Sequence, residues 1–120
     1  MDPCGAYNIF DGWIYVPPKD IKSRYLISYI AHELGHYVDN RSLTEKQDRN
    51  LTISLIVREI FGISDRYIIA AERRAWAYGQ QILSSLGLLT KEEKKRLSIA
   101  KKYCLRAYEG QKLPPESKWK

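Results

Sequence analysis

Two histidines four residues apart, in His32-Glu33-Leu34-Gly35-His36, constrain this chain more than any other feature, and they are its only histidines. Residues i and i+4 of a helix share one face, a turn apart. The segment therefore predicts a helix with both imidazoles on one side. Its flanks, Tyr25 to Ala31 and Tyr37-Val38, are apolar on nearly all sides, which reads as a buried helix. A buried helix carries two imidazoles and a carboxylate only at a cost unless they are partnered. One Zn²⁺ held by both imidazoles at about 2.0–2.1 Å meets that need. Glu33, about 100° around the helix, is placed to take a proton from an activated water rather than to ligate. The string predicts a metallopeptidase centre.

A chain of 120 residues is one small domain with a single core. No window approaches the roughly 18 apolar residues of a membrane span. The start, Met1-Asp2-Pro3-Cys4-Gly5, has neither the basic opening nor the apolar run of a signal peptide, so a cytoplasmic location is expected. In a reducing compartment Cys4 and Cys104 are expected as free thiols rather than as a disulfide. The net charge of +6 lies entirely in residues 91–120, since the ten basic and ten acidic residues of 1–90 cancel. A solvated helix face explains this excess more simply than nucleic-acid binding, which is not expected.

Tyr7 to Phe10 and Trp13 to Val16 are β-prone runs separated by Asp11-Gly12, a hairpin signal ended by Pro17-Pro18. Four helices follow. The first runs from about Asp20 to Asn40. A capping box at Ser42 to Glu45 opens the second, with Leu51, Leu55, Ile56, Ile60 and Phe61 near helical spacing. Ser64-Asp65 opens the third, which runs to about Leu86. Thr90 to Glu93 opens the fourth, with Leu97, Ala100, Cys104 and Ala107 inward. The fold class expected is α+β, a small edge sheet laid on a helical bundle. Residues 1–109 form the domain and 110–120 a tail with one large anchor, Trp119.

A catalytic zinc site needs a third protein ligand and an open position. The spacing H-E-x-x-H-x-x-G-x-x-H is absent, because Asp39 and Ser42 occupy its last two slots. Glu72 is the better candidate. Its same-face neighbours Ile68, Ile69, Ala75 and Trp76 are apolar, and a carboxylate there needs coordination or pairing. The alternative is an ion pair with Arg58 or Arg24. Asp39 is the second choice as ligand, or a partner that orients His36.

The order of Trp13 to Val16, the histidine motif and Glu72 resembles the gluzincin metallopeptidases. The small size is similar to the minigluzincins, soluble minimal relatives of the catalytic domains of membrane peptidases of the CAAX-prenyl-endopeptidase and HtpX type. The resemblance covers roughly residues 7–86. It implies a zincin-like domain with one Zn²⁺ on His32, His36 and Glu72, and a peptide substrate bound as an added strand along Trp13 to Val16. It also implies a latent form in which the C-terminal segment shields the metal, with Glu116 or the terminal carboxylate at the open position. Cys4 offers a second shielding ligand. Where these relatives often show E-x-x-A-D, this chain has Glu72 to Trp76, with tryptophan in place of aspartate.

The mechanism expected is hydrolysis of peptide bonds through an activated water, with Glu33 as general base. A tyrosine serves as oxyanion donor, Tyr78 being the first choice among Tyr67, Tyr78, Tyr103 and Tyr108. A homodimer is left open. The alternatives are a repressor-cleaving zinc peptidase of phage-like elements, a zinc-stabilised binding module without catalysis, and a basic nucleic-acid binder.

Overall fold

In the computed structural model, residues 22–120 are described throughout, together with the segments Ala6–Asn8 and Trp13–Tyr15. Four helices form a bundle: α1 (Leu26–Ser42), α2 (Glu45–Phe61), α3 (Arg66–Ser85) and α4 (Lys91–Tyr108). The expected α+β class is corrected by this architecture. The only strand pairing among the described residues joins β1 (Ala6–Asn8) to β2 (Trp13–Tyr15), antiparallel, with Tyr7 opposite Ile14. Two three-residue segments form a ribbon against α1, not a layer that could divide the core with the helices. The chain is therefore a four-helix bundle. Asp11-Gly12 and Pro17-Pro18 lie outside the described residues.

Local chemistry sets the helix ends. Ser23 delays α1: its carbonyl and hydroxyl accept from the Leu26 and Tyr25 amides, so the helix begins at Leu26 instead of Asp20. The capping box of α2 sits two residues later than expected. Thr44 accepts from the Gln47 amide, and the Gln47 side chain accepts from the Thr44 amide. Asp65 caps α3 by accepting from Tyr67 and Ile68, and Thr90 caps α4 by accepting from Glu93.

The crossing of α1 and α3 positions everything else. Glycines stand at the two points of closest approach. A Cβ on Gly79 would lie 2.7 Å from the Ala31 carbonyl oxygen, and one on Gly35 would strike the backbone of Ala75. The main core lies beside this crossing. Tyr25, Tyr29 and Trp76 meet Leu97, Ala100 and Tyr103 of α4 there. On α4 Tyr103 and Tyr108 are buried, whereas Ala107 is only partly so. Cys104 is fully buried and disulfide-bonded, which corrects the expectation of a free thiol; Cys4 lies outside the described residues.

The tail packs on the body. Trp119 stacks on Tyr103 at 4.9 Å and 8°, tilts against Tyr25, and donates to the Pro114 carbonyl. Glu116, in a single 3-10 turn (Glu116–Lys118), accepts from Ser23 and Tyr29. Among the described residues no helix is long and apolar enough to cross a membrane.

Candidate metal centre

The close approach of α1 and α3 brings the Glu72 carboxylate between the two histidines. Glu72 Oε2 lies 2.7 Å from His32 Nε2, and Oε1 lies 2.9 Å from His36 Nε2. The ligand atoms of His32, His36 and Glu72 all fall within 4.8 Å of one another. The expected arginine alternative is not what is found, because each Glu72 oxygen is engaged by an imidazole. His32 is fully buried, Glu72 nearly so, and His36 sits at the rim.

Aromatic packing fixes the first ring. The Trp76 indole lies flat on His32, with centroids 4.2 Å apart and planes 10° apart, and His36 meets His32 edge-on at 4.5 Å. Trp76, one helical turn after Glu72, thus orients the His32 imidazole by stacking.

Electrostatics tie the three groups together. Burial lowers the His32 pKa, but the carboxylates of Glu33, 3.4 Å from Nδ1, and of Glu72, hydrogen-bonded to Nε2, outweigh it and raise the value to about 10. Burial also works against protonation of His36, and the Glu72 charge overcomes it, so this pKa is raised too. Burial pushes Glu72 upward, yet the His36 charge and the hydrogen bonds from both imidazoles hold it well below the usual carboxylate range.

Glu33 is the unusual member. It is almost completely buried, and neither carboxylate oxygen makes a hydrogen bond among the described residues. Its closest ion-pair contact is His32 Nδ1, at 3.4 Å. Buried carboxylates are rarely left without a hydrogen bond, because an unsatisfied polar group is costly there. Glu33 and His36 line a cleft of about 210 Å³, with Leu51 and Arg58 on the α2 side and Tyr108 on the α4 side. Two imidazoles and a carboxylate converging beside an orphaned carboxylate form a donor set that fits Zn²⁺.

Several expected roles fall elsewhere. Asp39 is not part of the three-residue donor group; it accepts from Arg74 through both oxygens, at 2.6 and 3.2 Å, and so pins α1 to α3. Tyr78 does not line the cleft, and Tyr108, which packs under the Arg58 guanidinium, does. Glu116 is held by Ser23 and Tyr29, while the Lys120 carbonyl accepts from Lys102, so neither end of the tail reaches the histidines. The Trp76 stack carries no sequence signal of its own beyond its position four residues after Glu72.

Compared with protein-family models, curated proteins and solved structures, the chain matches none.

Proposed function

We propose that the chain is a zinc-dependent metallopeptidase of gluzincin type, with His32, His36 and Glu72 holding one Zn²⁺. The observation that carries this reading is Glu33. A buried carboxylate with no hydrogen bond to either oxygen among the described residues, opening on a cleft beside a three-group donor set, is suited to proton transfer. Zinc bound there supplies Lewis acidity and lowers the pKa of a water toward ~7. Glu33 accepts the proton of the attacking water and returns it to the leaving amine. His32 is held in place by Trp76, so its ring cannot turn away from Glu72. Tyr108 replaces Tyr78 as the candidate donor to the developing oxyanion, because it shares the cleft with Glu33. A peptide extends along the edge of β2 that β1 leaves unpaired among the described residues.

A purely structural zinc site uses four protein ligands, whereas the group among the described residues has three, which favours an open catalytic position. The test is metal content by mass spectrometry, paired with hydrolysis of a quenched fluorescent peptide library. One zinc per chain, lost in Glu72→Ala, together with cleavage lost in Glu33→Gln at full zinc content, is the expected result. Zinc retained in Glu72→Ala removes the ligand assignment. A zinc-loaded chain that cleaves nothing removes the peptidase reading.

A further inference from the structure

Helix α2 is more apolar on its outside than on its inside. Only Leu51 and Ser54 are buried. On the side facing away from the bundle, Ile53, Ile56, Val57 and Ile60 follow one another at i, i+3, i+4 and i+7, a continuous stripe. Phe61 and Ile63 extend it around Gly62, which turns the chain in the left-handed conformation at φ 71°. Ile53, Ile56, Ile60, Phe61 and Ile63 are each 54–68% exposed. Their exposed surface is on the order of 600 Å², the upper end for a free monomer and close to the ~800 Å² each partner gives a standard interface. The ribbon β1–β2 lies against α1.

We propose that the α2 stripe is the interface of a homodimer, formed by α2 packing on α2 of a second copy about a two-fold axis. Two observations select a second copy. The first is area, which matches one subunit's share of such an interface. The second is charge. In an isologous contact each patch meets itself, so a charged patch would repel its twin. Glu45, Asp48 and Glu59 balance Lys46, Arg49 and Arg58 along α2, leaving no net charge there, while the whole +6 excess sits in residues 91–120. An anionic lipid surface would call for a basic rim, which α2 lacks. The β-branched residues at a 3–4 spacing suit close helix pairing. The dimer would also brace the cleft, because Leu51, Leu55 and Arg58 on α2 line it.

Sedimentation equilibrium of the full chain tests this without reference to metal or activity. The expected mass is twice the 14.0 kDa of the chain. It should fall to the single-chain value in the double variant Ile56→Glu, Ile60→Glu, with an unchanged helical circular dichroism spectrum. Should the double variant unfold, Ile56→Cys decides the matter. Close to the two-fold axis, it should crosslink to its own copy under mild oxidation, and failure to crosslink overturns the dimer. A parent chain monomeric up to about 200 μM overturns the proposal as well. Flotation of that monomer with phosphatidylcholine vesicles would assign the stripe to lipid. A dimer that survives both glutamates places the interface elsewhere and overturns it too.

Discussion

Gly35 lies so close to Ala75 that a Cβ built on it would fall 1.9 Å from the Ala75 carbonyl oxygen. The glycine inside the histidine motif is thus what lets α3 approach near enough for Glu72 to reach both rings. Gly35→Ala would normally favour a helix by about 1 kcal/mol. Here it must push two backbones apart, and a loss of about 3 kcal/mol or more is expected in urea unfolding, together with loss of zinc. A Gly35→Ala chain as stable as the parent would refute the crossing.

Glu33→Gln is nearly isosteric; it removes a buried carboxylate that makes no hydrogen bond among the described residues, and with it the 3.4 Å ion pair to His32. Stability should hold or rise slightly, and zinc content should not change. Peptide hydrolysis should fall by about 10² or more, the range for loss of a general base. Steady-state kinetics beside a thermal melt separate the two effects.

Asp39 and Arg74 join α1 to α3 at one end of the same crossing. Arg74→Met leaves the buried Asp39 carboxylate without its partner and should cost about 2 kcal/mol, less than a fully buried pair because the guanidinium is partly in water. Arg74→Lys should recover only part of that, since an ammonium cannot bridge both oxygens. Equal unfolding midpoints for the Met and Lys variants would show that the two-pronged geometry is irrelevant.

The pH dependence has a definite sign. In the metal-free chain, the raised His32 pKa contributes stability in full below its ordinary 6.5, and this is lost as pH rises through about 10. The lowered Glu72 pKa contributes above its ordinary 4.5 and is lost in acid. The metal-free chain should therefore melt highest between those two ordinary values. Zinc must displace the imidazole protons, so its affinity should climb with pH, about tenfold per unit for each proton released. Thermal melts with EDTA and with zinc, across the range, should diverge steadily on the alkaline side. Parallel curves would mean that the histidines are not the ligands.

Trp119 covers the main core by stacking on Tyr103. Trp119→Ala should cost about 3 kcal/mol, as large core truncations do. It should leave zinc affinity unchanged, because the tail does not reach the histidines. A gain in zinc affinity or peptide cleavage in this variant would restore the shielding role expected of residues 110–120.

How much of this was legible in the sequence depended on whether one residue type allowed one explanation. His32, His36 and Glu72 were, because polar groups inside apolar helical stripes demand a shared partner. The α3 cap at Asp65 was equally plain. The face of α2 was not. Apolar residues fall nearly all around its C-terminal half, so spacing alone did not say that Leu51 turns inward while Ile56, Ile60 and Phe61 turn out. The sheet was overestimated, since β-prone runs say nothing about how far a pairing extends. The Arg74 partner of Asp39 and the lining of the cleft were not legible either, because both exist only once α1 and α3 cross.

That crossing has a practical consequence. The side chains that would do chemistry, His32, His36 and Glu72, are also part of the weld between α1 and α3. No loosening can disarm the centre while sparing the architecture. Heat inactivation and global melting should follow one curve, and a version tuned for greater catalytic flexibility would have to acquire it in the α2 wall.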